Sequence, residues 1–263
     1  MGRDVRVQRV GYHYISNRSI ELRNAFVVKD DYLKFIELLS ELSQSHGFSI
    51  ESYTLLSHAY YLLIKTSSEN LSAIMKLLNR RYSLYFNNKY GRNGALWEGR
   101  FKSTFMEDEG YLFYFIRHME HLPKMTGIVL ALEDYSYSTY RQFVGLDSRL
   151  RALESSVVFQ RFNSIDEIKI FFMQEVNKEF IDNLVEILRK QEKQRKKEDA
   201  KKEKEVLELC DFLSIKQNDE ERVEGMREAY RAGISQVKIA DFLGLSQQAV
   251  SLKIQGKMKA CVE

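Results

Sequence analysis

The sequence predicts an α+β fold, with a ferredoxin-like domain followed by an all-α helical region that contains a helix-turn-helix. Its first ninety residues alternate between strand and helix patterns in the order strand–helix–strand–strand–helix. Residues 53–66, YTLLSHAYYLLIKT, are mostly apolar and contain neither glycine nor proline, as is typical of buried strands. Beyond about residue 205, short amphipathic segments are separated by Gly233 and Gly244.

The composition indicates a folded protein that is compatible with nucleic-acid binding. The 263 residues are 44% hydrophobic and 12% aromatic, which suits one large or two small domains. The net charge of +3 is mildly basic. Cys210 and Cys261 lie far apart, which favours reduced thiols over a disulfide or a metal site. Without an N-terminal apolar signal or a run of about 18 apolar residues, we expect a cytoplasmic protein with no membrane partner.

The first elements follow from local patterns. Residues 5–16 alternate enough to form a strand, and 17–19 form its turn. Asp30 is a suitable N-cap for a helix over about 31–45, which Gly47 ends. Ser57-His58 interrupts the apolar run, which predicts a tight turn between strands of about 48–56 and 59–66. The two helices of this region, the second over about 71–89, are expected on one face of the sheet.

The middle of the chain is predicted to be helical. A helix over about 109–121 is expected to end at Pro123, the only proline in the sequence. Ser164 is placed to cap a helix that starts at about 165. Residues 189–204, RKQEKQRKKEDAKKEK, lack large apolar side chains and predict a solvated helix or linker. Phosphate binding by their basic side chains is the alternative.

The last segment has the order expected of a helix-turn-helix. A helix over 220–232 precedes two short helices over 236–243 and 247–256. Ala240, Gly244 and Val250 occupy the positions of a small residue, the turn glycine and an apolar wedge between the helices. The core is predicted to include Ile239, Phe242, Leu243, Leu245 and Leu252, with Met226, Ala229 and Tyr230 facing it.

The second of these short helices would present polar side chains to a major groove. Glutamine can bond adenine in two places, while serine and lysine can contact backbone phosphate or guanine. The alternative is that the segment is a packing or oligomerisation module. The predicted DNA contacts are Ser246, Gln247, Gln248, Ser251 and Lys253.

Residues 91–103, GRNGALWEGRFKS, combine glycines with basic side chains. Glycine permits close approach of the backbone to a partner, and Arg92, Arg100 and Lys102 supply positive charge for phosphates. In the simpler interpretation, Trp97 and Phe101 anchor a surface loop whose basic residues are only solvated.

This run resembles Gly-x-Leu-Trp-Gln-Gly-Arg-Phe-Lys-Ser of the REP-associated tyrosine transposases, the single-tyrosine branch of the HUH nucleases. Glu98 stands at the family's glutamine. Over about 5–145 the chain is similar to that family in other segments as well, including 53–63, 111–123 and 134–143. The matched positions of the run are Gly94, Leu96, Trp97, Gly99, Arg100, Phe101, Lys102 and Ser103.

The resemblance implies a lost active site. The family's metal-binding histidines correspond to Ala59 and Tyr61, and its nucleophilic tyrosine corresponds to His118. Alanine has no donor atom and a neutral phenol is a poor ligand, so we expect no catalytic residue and no Mg²⁺ or Mn²⁺ cofactor. Two alternatives would retain an active site. A bulge could pair His58 with Tyr60 as metal ligands, and Tyr114 or His118 could serve as the nucleophile.

The sequence therefore predicts a DNA-binding protein derived from a single-tyrosine transposase, catalytically inactive and acting as a sequence-specific regulator or structural DNA binder. The expected parts are a transposase-like domain over 1–145, a connector over 146–204 and a helix-turn-helix domain over 205–263. Its partners would be duplex DNA, single-stranded hairpins and a second copy of the chain, in the nucleoid. The alternatives are an active transposase, which a metal-dependent covalent DNA adduct would reveal, and an RNA-binding or scaffold protein.

Overall fold

The structure, a computed structural model, describes residues 9–174, 176–213 and 219–255. The chain divides into two compact units, Met1–Lys190 and Gln191–Glu263. Residues 146–190 thus group with the first unit, whereas the sequence pattern predicts a separate connector over 146–204. No helix in the described ranges is both long enough and apolar enough to cross a membrane.

The first unit contains a four-stranded antiparallel sheet, with β1 (Gly11–Arg18), β2 (Phe48–Leu56), β3 (Ala59–Thr66) and β4 (Lys102–Met106) in the order β2-β3-β1-β4. The predicted strand pair and its turn at Ser57-His58 are confirmed. The turn predicted over 17–19 is wrong, because β1 continues through Arg18. The Ser19 N–H donates to the His58 carbonyl at 2.8 Å, and Ser19 bridges Trp97, which keeps the backbone extended. Predicted strand residues 5–8 lie outside the described residues.

Helices cover both faces of this sheet. The two helices of the first ninety residues lie on one face, as predicted, and a later helix covers the other face. On β3, the Tyr60 ring lies 5.1 Å from Phe35 of α1 (Lys29–His46), which packs beside α2 (Leu71–Tyr90). Tyr61, the next residue on β3, stacks on Tyr14. The ring centroid of Tyr14 lies 4.7 Å from that of Phe115 on α3 (Leu112–Met125). Successive strand residues point to opposite faces, so α3 lies across the sheet from α1.

Helix α1 begins two residues before its predicted start, and Asp30 is not its cap. The helix starts at Lys29, and Asp31 in its first turn accepts the backbone N–H groups of Val27 and Val28 at 2.8 and 3.0 Å. Asp31 is fully buried, whereas Asp30 is exposed. Gly47 ends the helix in a left-handed conformation, as predicted.

Helix α3 contains Pro123 rather than ending before it. A proline within a helix removes one N–H donor, which leaves the carbonyl four residues earlier without its usual partner. Here that carbonyl belongs to Met119, and the Thr54 hydroxyl on β2 donates to it at 2.9 Å. A neighbouring strand therefore replaces the missing donor, which a local sequence rule cannot anticipate.

The rest of the first unit closes the edge of β2 and extends the core. The Leu55 N–H donates to the Tyr137 carbonyl at 2.9 Å, and the Thr139 N–H donates to the Tyr53 carbonyl at 3.0 Å. These bonds pair an otherwise open strand edge. Four helices follow: α4 (Tyr140–Phe143), α5 (Val157–Arg161), α6 (Ile165–Met173, capped by Ser164 as predicted) and α7 (Lys178–Leu213). The predicted charged stretch is helical, as part of α7.

The second unit contains α8 (Asp219–Arg231), α9 (Gln236–Leu243) and α10 (Gln247–Gln255). Buried Arg227 joins α8 to the end of α10 by donating to the carbonyls of Lys253 and Ile254 at 3.0 and 3.1 Å. Among the described residues of the second unit, the buried apolar core consists of Leu209, Met226, Ala229, Ile234, Ile239, Ala240, Val250 and Ile254. Four residues predicted to face this core are instead exposed: Tyr230, Phe242, Leu245 and Leu252.

Candidate nucleic-acid interfaces

A polar cleft opens in the first unit where β1, β3 and β4 meet the loop before β4. Its volume is about 300 Å³. Basic side chains outnumber acidic ones among its described lining residues, which makes it suitable for an anionic group such as phosphate. The lining residues are Ser16, Asn17, Arg18, Tyr61, Glu98, Arg100 and Lys102.

The loop that carries Glu98 and Arg100 is held against the end of β1 by its apolar residues. Leu96 and Trp97 are buried, and the Leu96 carbonyl accepts the Ile20 N–H at 3.0 Å. Two residues later, the Glu98 N–H donates to the Arg18 carbonyl at 2.8 Å. Anchoring by Trp97, proposed as the simpler interpretation of this loop, is thus present, and it brings the polar side chains to one cleft.

Glu98 forms a salt bridge with Arg18 in this cleft. The Arg18 guanidinium donates to both carboxylate oxygens, with Nη2 at 3.0 Å from Oε1. Hydrogen bonding to Arg18 lowers the pKa of Glu98, so its carboxylate is ionised at neutral pH. Both side chains are about half exposed, so solvent weakens the pair and an incoming phosphate can compete for Arg18.

Of the two positions that the resemblance assigns to metal ligands, Ala59 is paired with a basic residue and Tyr61 shares the cleft with basic residues. Across the sheet, Tyr61 pairs with Ser16, and Ser16 pairs with Lys102. Ala59 pairs with Arg18. Burial raises the pKa of the Tyr61 phenol, which is therefore neutral at physiological pH.

His118 and Tyr114, the other candidate nucleophiles, are not among the described residues that line this cleft. His118 on α3 is 5% exposed, and burial lowers its pKa to about 4. Its Nδ1 has no hydrogen-bond partner among the described residues. Tyr114 is 44% exposed, and its ring lies 5.3 Å from that of Phe180 on α7.

The pairing of His58 with Tyr60 is not formed. Strand β3 keeps an unbroken register with β1 over all its residues, so the bulge that this pairing requires is not present there. His58 lies in the hairpin turn. The fully buried Tyr60 donates its hydroxyl to Asn79 at 2.9 Å, on the side of α2.

Among the basic residues predicted to bind DNA in the first unit, Arg100 and Lys102 line the cleft and Arg92 does not. The Arg92 guanidinium lies over the Phe86 ring, 5.6 Å from its centroid. Such a contact with the face of an aromatic ring gives Arg92 a packing role at the end of α2.

In the second unit, the other predicted DNA contacts lie on α10 and in the turn that joins it to α9. Gly244 adopts the left-handed conformation, with φ of 64°, and Ala240 and Val250 are buried between the helices. The Ser246 hydroxyl accepts the Ala249 N–H at 3.2 Å and so caps α10. Exposure at this surface differs among the predicted contacts: Ser246, Gln247, Gln248 and Lys253 are exposed, and Ser251 is half-buried.

Sequence patterns did not identify Arg18 and Tyr61 as cleft residues or Leu252 as a surface residue. Arg18 and Glu98 are eighty positions apart and meet only because the loop pairs with the end of β1. Leu252 has the residue type of a core position, and the local pattern gave no sign of its exposure.

No known family model matches the sequence, and no curated protein matches it. Among solved structures, one similar chain is a REP-associated tyrosine transposase bound to a REP hairpin. It is 15% identical to this chain, with a TM-score of 0.48, and the alignment covers 57% of this chain and 90% of that one. These values describe a distant likeness and do not show the family to which the chain belongs.

Proposed function

We propose that this protein binds DNA without cutting it and acts as a sequence-specific regulator or structural DNA binder. The observation that carries this proposal is the arrangement α9–Gly244–α10, in which a glycine turn joins two short helices over a small core. This order supports a helix-turn-helix. The core side of α10 holds Val250 and Ile254, and its opposite side is exposed and, apart from Leu252, polar.

In this proposal α10 enters the major groove of duplex DNA. That groove is about 12 Å wide, which admits one α-helix. Gln247 and Gln248 lie exposed in the first turn of α10, where a recognition helix contacts base edges, and Lys253 lies farther along for phosphate. Two copies of the chain would bind two half-sites, as is common for this motif.

The cleft of the first unit is proposed to hold backbone phosphate. Arg18, Arg100 and Lys102 supply charge from β1, from the loop and from β4. The order β-α-β-β-α-β and the sheet order β2-β3-β1-β4 support a ferredoxin-like fold for this unit. Binding of single-stranded hairpins would use the same cleft.

Strand cleavage is not part of the proposed function. Ala59 offers no donor and Tyr61 is a neutral phenol. Arg18 pairs with Ala59, and Arg18 and Lys102 line the same cleft as Tyr61, so positive charge lies near these positions. A divalent cation needs several oxygen or nitrogen donors and is repelled by basic neighbours, so these residues do not fit Mg²⁺ or Mn²⁺. His118 is buried, so a DNA phosphate cannot reach it as a nucleophile, which also supports a protein that does not cut DNA.

Capture of host genomic DNA on the purified full-length protein tests the proposal. We expect recurrent duplex sites to be retained by the wild type. Replacing Gln247→Ala together with Lys253→Ala should weaken binding to those sites about tenfold or more, because one base contact and one phosphate contact are lost.

A matched control removes the same residue types from exposed positions of the first unit, Gln44→Ala with Lys76→Ala. It should bind like the wild type. Retention of no duplex DNA at low salt, or equal binding by the α10 variant and the control, would contradict the helix-turn-helix proposal. Circular dichroism of each variant verifies that it is folded.

Phosphate binding by the cleft is tested separately. The measurement is how the affinity for a DNA hairpin with a single-stranded flank depends on salt concentration. Each phosphate contact contributes about 0.7 to 0.9 to the slope of log affinity against log salt. We expect Arg100→Ala with Lys102→Ala to reduce the magnitude of that slope by about 1 to 2. Lys76→Ala with Arg80→Ala removes equal charge from exposed positions on α2 and should leave the slope unchanged. Identical slopes for both variants would exclude the cleft as a phosphate site.

A further inference from the structure

The surface of α10 contains one large apolar side chain in a polar setting. Leu252 is 71% exposed, although its residue type predicts a core position. The neighbouring residues along the chain are Ser251 and Lys253, and Gln248 and Gln255 lie one helical turn away on either side. Among the described α10 residues, Val250 and Ile254 already fill the core side of the helix.

Leu252 and Gln248 share one stripe of α10. Residues four apart on a helix are surface neighbours, with a rise of about 6 Å between them along the axis. Base pairs in duplex DNA are spaced about 3.4 Å apart. The two side chains therefore match base pairs one or two steps apart when the helix lies along the groove.

Their chemistry is complementary to one kind of base pair. A glutamine amide can donate to N7 and accept from N6 of adenine, and an apolar side chain contacts the C5-methyl group of thymine. A leucine has no hydrogen-bonding group for the edge of guanine or cytosine. The pair therefore favours A·T base pairs over G·C base pairs.

We propose that Gln248 and Leu252 determine specificity, selecting duplex sites in which an adenine and a thymine methyl group lie one or two steps apart in the major groove. This inference rests on the proposed function of α10. It adds two features that the general proposal does not contain: the base composition of the contacted step and a role for an exposed leucine.

The experiment begins with selection of bound duplexes from a library with a randomised central segment, using the full-length wild-type protein. In the selected duplex, each thymine is then replaced by uracil, which lacks only the C5-methyl group. Each adenine is separately replaced by 7-deazaadenine, which lacks the N7 acceptor. Affinities are measured for the wild type, Leu252→Ala, Gln248→Ala and the control Leu130→Ala, which truncates a leucine that is 91% exposed in the first unit.

We expect uracil at one thymine to weaken binding by the wild type and by Leu130→Ala about three- to fivefold, as for one lost methyl contact. The same replacement should not change binding by Leu252→Ala. At one adenine, 7-deazaadenine should weaken the wild type about tenfold and leave Gln248→Ala unchanged.

Failures of the two proposals can be told apart. Selection of a defined duplex whose affinity is insensitive to both base analogues would overturn the A·T inference and leave the DNA-binding proposal standing. The inference also fails if Leu252→Ala loses equal affinity for thymine and uracil duplexes, as expected for a contact between protein copies. Absence of any selected sequence would overturn both.

Discussion

Replacing Asp31 with alanine is expected to lower the free energy of unfolding of the first unit by about 3–5 kcal/mol. The carboxylate is fully buried and ties the start of α1 to the end of α2. Without it, two backbone N–H groups lose their side-chain acceptor and the Lys89 ammonium loses its ion-pair partner. The donors to Asp31 are the backbone N–H groups of Val27 and Val28 and the side chains of Tyr85, Lys89 and Tyr90.

The pH dependence of this stabilisation has a definite sign. Burial opposes ionisation of Asp31, yet the hydrogen bonds, that from Lys89 foremost, lower its pKa to about 2 from an ordinary value of 3.8. A lowered pKa in the folded state means that the stabilisation is present above pH 3.8 and is lost as the pH falls through about 2. The cost of Asp31→Ala should therefore shrink in strong acid.

Denaturant unfolding, followed by fluorescence of the single tryptophan, measures this effect. Trp97 is buried in the first unit and so reports on its unfolding. Asp30→Ala is the matched control, because Asp30 is the exposed neighbour in the same helical turn. We expect it to cost less than about 1 kcal/mol, the size of an exposed charge effect at a helix N-terminus. Equal losses for both variants would show that Asp31 does not hold the two helices together.

Replacing Glu120 with glutamine is expected to change how stability depends on pH. Glu120 on α3 is 1% exposed, and its carboxylate accepts the Ser52 hydroxyl at 2.8 Å and the Tyr140 N–H at 2.9 Å. The Thr139 hydroxyl also donates to it. Burial nevertheless raises the pKa of Glu120 to about 7 from an ordinary value of 4.5.

A carboxyl group whose pKa is raised in the folded state stabilises the fold most when it is protonated. The contribution of Glu120 is fully present below pH 4.5 and is lost as the pH rises through about 7. At about 1.4 kcal/mol for each pH unit across this window, the wild type should lose up to about 3 kcal/mol relative to a residue that does not titrate. Glutamine has similar shape, and hydroxyl groups of Ser52 and Thr139 can rotate to accept from its amide.

The measurement is the free energy of unfolding of wild type and Glu120→Gln between pH 4.5 and 8, again from tryptophan fluorescence. The difference between the two proteins should move by about 3 kcal/mol in favour of the variant as the pH rises. Glu69→Gln, at an exposed position, serves as the control and should track the wild type. A difference for Glu120→Gln that stays constant across this range would contradict the raised pKa.

The sequence alone predicted the elements that depend on local patterns. The apolar run interrupted by Ser57-His58 predicted both strands of the hairpin, and the limits of β2 and β3 are confirmed. The limits of α9 are also confirmed, because Ser235 and Gly244 specify its ends through backbone conformation and capping. Such signals act within a few residues of the chain, so no distant partner is needed to interpret them.

Only the tertiary structure decided which of these residues act together. Arg18 and Glu98 share a cleft because a loop anchored by buried Leu96 and Trp97 pairs with the end of β1. Pro123 lies inside α3 because Thr54, on a strand, bonds the carbonyl that the proline leaves without a donor. The burial of Asp31 rather than Asp30, and the exposure of Leu252, depend on which side of a helix meets a neighbour. Local periodicity gives the elements, but long-range packing determines which side chains are buried, paired or left on the surface.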